Sequence, residues 1–447
     1  MKFEAKHTIY FLGIGGIGMS ALARYFHLQG ARIFGYDKTS TALTQQLELE
    51  GMTIHFEDDI SLIPSKIDLV IYTPAIPADH KGFQYLRHQG VKMMKRAEVL
   101  GELSKDQPTI AIAGTHGKTT ITSMLAHILS VSGKPITAFI GGIANNFSSN
   151  IVQHPNAEWF VVEADEFDKS FLNLRPDIAV ISSMDADHLD IYESHSKMLE
   201  NYAKFADNVS QDGCVVIKYG LNLSLSIQTI TYGLNVNADV FAQNIRVENG
   251  RFVFELCASD QIAEVRMLIP GRHNIENALA AAAVALQVGI EIDAISKALE
   301  TYKGVYRRFD IRINTNQFVY IDDYAHHPEE LRACISAARE LFPGRKITGI
   351  FQPHLYTRTR DFMDGFSESL SQLDEVILLD IYPARELPIP GVTSSILLDN
   401  INLEKKCLIS KDSLIAYLEK SRPDVLLTLG AGDIDQLVGP IQKHFTA

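Results

Sequence analysis

The residues best suited to chemistry form the segment GTHGKTT, residues 114–120, which follows an apolar strand and opens a helix. Backbone N–H groups at a helix N-terminus face a bound anion, a lysine there can reach the outer phosphates, and a threonine hydroxyl can hold Mg²⁺. The strict eight-residue phosphate-loop pattern would need glycine at Ile112, so this segment is a shortened variant. We predict a phosphate cradle here, and the alternative is a glycine-rich turn with an exposed lysine. The cradle residues are Gly114, Thr115, His116, Gly117, Lys118, Thr119 and Thr120.

Carboxylates and a histidine follow two other strands of the same region. Glu163 ends the apolar strand WFVVE and begins an acidic loop, EADEFD at residues 163–168, and His188 lies between acids after the strand DIAVISS. Such strand ends are where α/β domains place ligands. Because Mg²⁺ prefers carboxylate, hydroxyl and phosphate oxygens, Glu163 with Thr119 makes a candidate magnesium site. His188 is a candidate for a second metal or phosphate contact, and an exposed loop residue is the alternative.

The last third of the chain repeats this pattern twice. In IDDYAHHPEE, acids end a strand, a proline starts a helix, and two histidines lie between them. In FQPHLYTRTRDF, His354, Arg358 and Arg360 follow a strand and open a helix that we expect to run to Leu373. Arginines near a helix N-terminus suit a carboxylate or phosphate ligand. A solvated helix face accounts for them equally well.

A second glycine turn follows the first predicted strand. Gly13, Gly15 and Gly18 have G-x-G-x-x-G spacing, and Asp37 ends the second strand about twenty residues later. This is the dinucleotide fingerprint, although the physics supports only a nucleotide that carries a diphosphate. It does not fix nicotinamide as the group beyond the phosphates. The alternative is that the glycines serve only close packing of strand and helix.

Strands and helices alternate along most of the chain, which predicts an α/β protein built on mainly parallel sheets with flanking helices. A polar segment at 104–108 marks one boundary, and GVYRRFD leads to another. We therefore predict a Rossmann-like domain over 1–106, a central P-loop domain over 107–310 and a Rossmann-like domain over 311–447. Short alternating runs after Val215, with ENGR as a turn, predict a small antiparallel patch in the central domain.

Composition limits the class of protein. The 447 residues carry a formal net charge of −13, which argues against a general nucleic-acid binder. No apolar run reaches the roughly 18 residues that a membrane span needs. The four cysteines are scattered without a C-x-x-C pair, which indicates a reducing compartment and no zinc or disulfide framework. We expect a cytoplasmic protein that is not inserted into a membrane.

The combination of a phosphate cradle, a second nucleotide-type turn and carboxylate-binding groups favours ligation. ATP would activate a carboxyl group as an acyl phosphate, and an amine would displace phosphate. No enzyme nucleophile is needed, and orientation of the substrates can contribute about 7–11 kcal/mol to the barrier. A nucleotide-gated binding or regulatory protein is the alternative from another class.

Taken together, the motifs resemble those of the Mur ligases of peptidoglycan synthesis. They occur in family order over nearly the whole chain, and nine motifs in one order are far more specific than any one of them. The motifs are GIGGIGMS from Gly13, GTHGKTT from Gly114, EADEFD from Glu163, DHLDIY from Asp187, PGRHNIENALAA from Pro270, GVYRRFD from Gly304, DDYAHHP from Asp322, FQPHLYTRTRD from Phe351 and TLGAGDI from Thr428.

The resemblance implies a reaction and a set of site residues. UDP-N-acetylmuramate, L-alanine and ATP would give UDP-N-acetylmuramoyl-L-alanine, ADP and phosphate, with Mg²⁺ as cofactor. The implied UDP-binding residues are Gly13, Gly15, Gly16, Gly18, Asp37 and Thr73. The implied ATP-binding residues besides the cradle are Asn274 and Asn277 near adenine, Arg308 near the phosphates and Asp323 near the ribose. The implied metal ligands are Thr119, Glu163 and His188, and the implied catalytic residues are Lys118, Glu163 and His188. The implied L-alanine contacts are Tyr324, His326, His354 and Arg358.

Two positions bear on these implications. Some relatives have arginine directly after the histidine of FQPH, where this chain has Leu355, so recognition of the amino-acid carboxylate would depend more on Arg358. Other members use a carbamylated lysine to bridge metal, and Lys204 lies downstream of His188 at roughly that distance, but we expect an ordinary helix lysine. A relative that attaches a recovered tripeptide to the same sugar nucleotide is the nearest alternative. We expect a monomer or a weak homodimer.

Overall fold

The computed structural model describes residues 7–186, 189–192, 194–384 and 386–446, and its helices and strands build three β-sheets. The first sheet is fully parallel, with the strand order β3-β2-β1-β4-β5. Its strands are β1 Thr8–Leu12, β2 Arg32–Tyr36, β3 Thr53–His55, β4 Leu69–Tyr72 and β5 Met93–Lys95. Its helices are α1 Ile17–Leu28, α2 Ala42–Leu49, α3 Lys81–His88 and α4 Arg96–Leu103. The order reverses beside β1, so the glycine turn that follows β1 lies at the switch point where such sheets bind ligands.

The second sheet has ten strands in the order β15-β14-β13-β12-β11-β10-β6-β9-β7-β8. Its strands are β6 Thr109–Ala113, β7 Ile136–Ala144, β8 Ser149–Gln153, β9 Trp159–Glu163, β10 Ile178–Ile181, β11 Cys214–Lys218, β12 Gln228–Gly233, β13 Val240–Glu248, β14 Arg251–Ala258 and β15 Gln261–Met267. The helices of this region are α5 Lys118–Val131, α6 Leu189–Tyr192, α7 His195–Asp207, α8 Arg272–Gln287 and α9 Ile292–Glu300, with a 3-10 segment over Phe167–Asn173. The core pairs β6–β9 and β6–β10 are parallel, so the cradle and the acidic loop leave the same edge of the sheet.

Two hairpin regions complete this sheet. Two-residue turns join β13, β14 and β15, and such short turns join antiparallel neighbours. The turn at Asn249-Gly250, which has positive φ at both residues, is the one predicted from ENGR, and the antiparallel patch is therefore confirmed. The antiparallel pair β7–β8 was not predicted from the sequence.

The third sheet is mixed, with the order β16-β17-β21-β18-β19-β20 and one antiparallel pair, β16–β17. Its strands are β16 Asp310–Asn314, β17 Val319–Asp323, β18 Ile347–Phe351, β19 Glu375–Leu378, β20 Lys406–Leu408 and β21 Val425–Leu429. Its helices are α10 Pro328–Leu341, α11 Tyr356–Asp361, α12 Met363–Leu370, α13 Ser394–Asn400, α14 Lys411–Ser421 and α15 Asp435–Thr446. The single helix expected from Arg358 is wrong, because non-helical backbone at Phe362 (φ −117°, ψ 22°) divides it into α11 and α12.

The chain forms two compact units. The first takes in residues up to Gln243 with Leu256–Ala263 and Asn277–Leu299, and the second takes in Asn244–Glu255, Glu264–Glu276 and the chain from Glu300 onward. The α/β class with three sheet-based regions agrees with the prediction. The boundaries after residues 106 and 310 stay predictions. None of the helices in the described ranges is long and apolar enough to cross a membrane.

A buried polar cluster joins the first two sheets within the first unit. Arg24 of α1 donates to both carboxylate oxygens of Glu50, each at 2.8 Å, and to the side-chain oxygen of Asn150 in β8 at 2.5 Å. Asn150 in turn donates to the carbonyl of Ile17 and to the hydroxyl of Ser20, at 2.7 and 2.8 Å. The helix that follows the first glycine turn is therefore fixed to the sheet that carries the phosphate cradle.

Candidate active site

The phosphate cradle lies between β6 and α5, and two glycines allow its backbone to turn. Gly114 has φ +136° and Gly117 has φ +85°, and Gly117 caps α5. A Cβ on Gly114 would lie 2.1 Å from the hydroxyl of Ser182, and one on Gly117 would lie 2.5 Å from the side-chain oxygen of Asn277. Both positions therefore require glycine for conformation and for space. Asn277, predicted beside adenine, is brought to the cradle.

Residues that follow β10 form one wall of the cradle. The hydroxyl of Ser182 donates to the carbonyl of His116 at 2.5 Å, and the backbone N–H of His116 donates to the hydroxyl of Ser183 at 2.8 Å. The hydroxyl of Thr115 donates to the carbonyl of Asp185 at 2.9 Å. Sequence reasoning did not select these serines. Their only local signal was their position directly after the strand DIAVI.

Lys118 is paired with a buried carboxylate. Its ammonium lies 2.8 Å from each carboxylate oxygen of Glu166 and 2.6 Å from the carbonyl of Gly114. The side chain of Glu166 is only 2% exposed. Burial alone would lower the pKa of Lys118, but the carboxylates of Glu166 and Asp165 raise it above its usual value. Lys118 is therefore charged. Glu166 was missed as a site residue, although it belongs to the acidic loop that the sequence singled out.

Glu163 and Thr119 meet beside the cradle. The hydroxyl of Thr119 donates to one carboxylate oxygen of Glu163 at 3.2 Å, and the N–H of Gly141 donates to the other at 2.5 Å. A Cβ on Gly141 would lie 2.4 Å from the Glu163 carboxylate, so only glycine at this position leaves room for that side chain. A hydroxyl and a carboxylate oxygen at the start of α5 fit Mg²⁺ that is shared with a phosphate.

The other predicted metal ligand, His188, lies outside the described residues. Within the described ranges, no group of three or more His, Cys, Asp or Glu side chains is arranged to hold a metal ion. The fit to Mg²⁺ thus depends on Thr119 and Glu163, with phosphate oxygens as further ligands.

The first glycine turn holds Asp37 and Thr73 in place. Gly13 has φ +87°, and a Cβ there would lie 2.5 Å from the methyl of Thr73. The N–H of Gly15 donates to Asp37 at 2.8 Å, and a Cβ on Gly15 would lie 2.9 Å from the same carboxylate oxygen. Gly16 caps α1. These residues, which the family resemblance implied in UDP binding, are therefore neighbours in the structure.

In the second unit, two adjacent aspartates at the end of β17 have different environments. Asp322 accepts from Arg307 at 2.9 Å and from the hydroxyl of Thr428 at 2.7 Å, so it is part of a buried structural network. Asp323 accepts from the backbone N–H groups of Phe309 and Ala325, each at 2.7 Å. Burial raises the pKa of Asp323 to about 6.

Four of the predicted residues cluster where β17 and β18 end. The rings of Tyr324 and His326 are 5.2 Å apart, and those of His326 and His354 are 6.3 Å apart. The guanidinium of Arg308 lies 5.0 Å from the ring centre of Tyr324, a cation–π contact. Predicted phosphate and amino-acid contacts therefore share this region of the second unit.

The segment that carries His354 and Arg358 is held by a loop that sequence reasoning missed. Tyr382 stacks on the His354 ring at 5.7 Å and pairs with it in an isolated β-bridge. Glu386 accepts from the N–H of Thr357 at 3.0 Å and so caps α11. Arg358 is half-buried in α11, whereas Arg360 is exposed and paired with Asp361 at 2.7 Å. Arg360 thus lies on a solvated helix face, which was the alternative to a carboxylate or phosphate contact.

Asn274 and Lys204, two further positions from the sequence analysis, take part in local structure. Asn274 is buried and donates to the carbonyl of Pro270 at 2.7 Å, which closes the turn before α8. Lys204 is in the last turn of α7, as an ordinary helix lysine would be. Leu355, the departure from some relatives, caps α11 with φ +71°, a backbone region that is uncommon for residues other than glycine.

Three family models match the chain in sequence order. They are described as "Mur ligase family, catalytic domain" over residues 8–108, "Mur ligase middle domain" over residues 112–285 and "Mur ligase, glutamate ligase domain" over residues 307–432. They account for each of the three sheet-based regions.

Individual proteins match over the full length. A UDP-N-acetylmuramate–L-alanine ligase of Flavobacterium johnsoniae is 48% identical over 448 residues, which cover 99% of this chain and 99% of the relative. The solved UDP-N-acetylmuramate–alanine ligase MurC of Thermotoga maritima has a TM-score of 0.84 at 28% identity, covering 98% of this chain and 99% of that one. A murein peptide ligase of Psychrobacter arcticus has a TM-score of 0.74 at 22% identity and 98% coverage of both chains, which shows a common fold alone. The chain belongs to the Mur ligase family of ATP-dependent ligases.

Proposed function

We propose that the protein joins L-alanine to the lactyl carboxylate of UDP-N-acetylmuramate at the expense of ATP. The products would be UDP-N-acetylmuramoyl-L-alanine, ADP and phosphate, as a step in peptidoglycan precursor synthesis. The observation that carries the proposal is 48% identity, over 99% of both chains, to a relative named for this reaction. The cradle, the first glycine turn and the cluster at β17 and β18 supply one candidate site for each of the three substrates.

The cradle would position ATP for transfer of its γ-phosphate to the carboxylate. Backbone N–H groups at the start of α5 would face the phosphates, and Lys118 would exchange the carboxylate of Glu166 for phosphate oxygens. A fixed cation beside the transferring phosphate stabilises the charge that develops there. Mg²⁺, held by Thr119 and Glu163, would neutralise phosphate charge when bound. Asn274 and Asn277 are proposed beside adenine, Asp323 at the ribose and Arg308 at the phosphates.

L-alanine would bind in the second unit, between Tyr324, His326, His354 and Arg358. Arg358 would pair with the amino-acid carboxylate, because a guanidinium binds a carboxylate through two parallel hydrogen bonds. The amine would then attack the acyl phosphate, and the C–N bond would form as the C–O bond to phosphate breaks. The proton lost from the amine would leave to solvent.

The tripeptide-adding reaction is the second candidate, and the 22% identity to a murein peptide ligase supports its fold but not its substrate. The two reactions differ only in the amine. A nucleotide-gated regulator has less support, because Glu163, Thr119 and Lys118 are all held in place at the cradle.

The reaction also implies a cytoplasmic location, where ATP is available, and four free cysteines fit a reducing compartment. A monomer or weak homodimer stays our expectation, which sedimentation would test.

A phosphate-release assay tests the proposal. UDP-N-acetylmuramate and ATP are mixed with L-alanine, glycine, L-serine or the tripeptide in parallel reactions. We expect phosphate release that requires both the sugar nucleotide and L-alanine. Release with the tripeptide but not with L-alanine would establish the alternative. Release without any amine would indicate a phosphatase or a regulatory nucleotide switch.

A further inference from the structure

Arg96 lies against the third glycine of the first turn. It opens α4 directly after β5, and its guanidinium covers Gly18 in the first turn of α1. A Cβ on Gly18 would lie 2.0 Å from Nη1 of Arg96. Glycine at this position therefore makes room for a charged side chain, which differs from the helix–strand packing usually assigned to the third glycine of this motif.

The charge of Arg96 is unusual at this place. A helix N-terminus carries partial positive charge, so a cation there is unfavourable. Among the described residues, α1 has no acid in its first turn, and its cap Gly16 has no side chain to offer. An anion bound beside both the guanidinium and the start of α1 would balance the two positive charges. A diphosphate is such an anion, and Arg96 is partly exposed, at 28% of its side chain.

The other end of the guanidinium contacts the acidic loop. Nη2 of Arg96 donates to Asp165 at 3.1 Å, and the neighbouring Lys95 donates to Asp168 at 3.0 Å. The other carboxylate oxygen of Asp165 accepts from the N–H of Phe167 at 3.1 Å, which shapes the loop around Glu166. Glu166 is the residue that holds Lys118 in the cradle. Arg96 thus stands between the two anion sites of the first unit.

We propose that Arg96 binds the diphosphate of the sugar nucleotide and, through Asp165, positions the acidic loop beside the phosphate cradle. This rests on the proposed function, which supplies the uridine diphosphate. Arg96 is a binding residue for one substrate and a positioning residue for the other. The competing explanation is that the Arg96–Asp165 pair only joins two parts of the fold.

Calorimetric titration with UDP, UMP and UDP-N-acetylmuramate separates these explanations. We expect Arg96→Ala to weaken the binding of UDP and of the sugar nucleotide about tenfold or more, as the loss of a charge-assisted hydrogen bond would. The affinity for UMP should change far less. Arg96→Lys should recover part of the loss. Arg32→Ala is the matched control, since Arg32 contacts Thr8 at the opposite end of the same sheet.

A double-mutant cycle with Asp165→Asn tests the positioning role, with the KM for ATP as the readout. We expect each single variant to raise that KM and the double variant to be no worse than the poorer single. Equal losses for UDP and UMP, no loss at all, or additive effects on the KM for ATP would overturn the inference. A wild-type protein that binds UDP yet releases no phosphate with L-alanine would overturn the proposed function but not the Arg96 contact. Failure of the wild-type protein to bind any uridine nucleotide would overturn both.

Discussion

At the level of single residues, Lys118 and Glu166 form an ion pair in which both members are largely shielded from water. The side chains are 17% and 2% exposed, and three oxygen atoms lie within 2.8 Å of the ammonium. Leaving one member of a buried pair without its partner is strongly destabilising. Glu166 therefore keeps Lys118 charged and in place.

Replacing Glu166 by glutamine should make the folded state depend on nucleotide. We expect the Glu166→Gln variant to lose about 3 kcal/mol of stability, because the buried amine of Lys118 loses its carboxylate partner. ATP should restore stability, so its effect on the melting temperature should be larger in the variant than in the wild type. Scanning fluorimetry with and without ATP measures this. Glu102→Gln is the control, since its pair with Lys105 is exposed and worth little. Equal stabilisation by ATP in both proteins would contradict the role given to Glu166.

Removing the lysine itself should slow the chemistry strongly while leaving the binding of the sugar nucleotide unchanged. We expect Lys118→Ala to lower the rate of phosphate release by about 10²–10³-fold, the usual cost of losing one charge-stabilising group. Calorimetric affinity for UDP should stay unchanged, because the glycine turn is a separate site. Lys105→Ala, an exposed lysine, is the comparison. Normal turnover of Lys118→Ala would remove the cradle from the reaction.

Asp323 should make stability depend on pH in the direction opposite to most carboxylates. Its pKa rises to about 6 on folding, chiefly because of burial, so the folded state binds the proton more tightly than the unfolded state. The stability that this proton contributes is present below about pH 4 and is lost as the pH rises through 6, by about 3 kcal/mol in total. We expect the free energy of unfolding of the wild type, relative to Asp323→Asn, to fall from pH 4 to pH 7. Urea titrations at several pH values measure it, with the exposed Asp399→Asn as control. A constant difference would contradict the assignment.

At the level of elements, the turn into α5 requires glycine at Gly114 for both its backbone conformation and its lack of a side chain. We expect Gly114→Ala to destabilise the protein and to remove ATP binding, because its Cβ would overlap the hydroxyl of Ser182. Gly133, just beyond the other end of α5, is a matched control with φ +76° and no atom within 4 Å of a Cβ. Gly133→Ala should cost only about 1 kcal/mol of backbone strain and leave ATP binding intact. Urea titration and calorimetry give both quantities, and similar behaviour of the two variants would contradict the role of Ser182.

Helices and strands that are determined by the local sequence pattern could be predicted. Elements that depend on contacts with residues far along the chain could not. The parallel strands and their helices follow from alternating apolar runs and glycine turns. The β7–β8 hairpin was missed because its glycine at 141 is explained only by the carboxylate of Glu163, 22 residues away. The break at Phe362 has no glycine or proline to announce it. The cap at Leu355 is fixed by a backbone bond to Tyr382, far along the chain.

The candidate site divides in the same way. Lys118, Thr119 and Glu163 could be predicted, because each residue type carries its chemistry at a recognisable position after a strand. Glu166 and Arg96 could not be predicted, because their candidate roles depend on contacts with residues 48 and 69 positions away in the sequence. The reaction was inferred from the resemblance to the Mur ligase family, while the roles of the individual site residues stay predictions.

At the level of the whole molecule, the first two sheets are joined by a polar cluster that is fully paired. Asn150 is completely buried, and its amide bonds Arg24, Ile17 and Ser20 of α1. We expect Asn150→Ala to cost about 1–3 kcal/mol and to let the first sheet open separately from the second. Hydrogen exchange of the native protein would show faster exchange in β1 and β4. Asn208→Ala, which loses one bond to Leu172, is the control. Uniform exchange in both variants would show that other contacts join the sheets.

The same cluster has a consequence for substrate choice. Because α1 follows the glycine turn and is fastened to β8, the separation between that turn and the cradle is set by buried hydrogen bonds. In the reaction proposed above, a substrate anchored by its diphosphate at one end would have to place its carboxylate at the other end across a constant span. The length of the substrate would then be a selection criterion, in addition to its charge and shape. Sugar nucleotides that are one bond shorter or longer in the linking arm would bind well and react poorly.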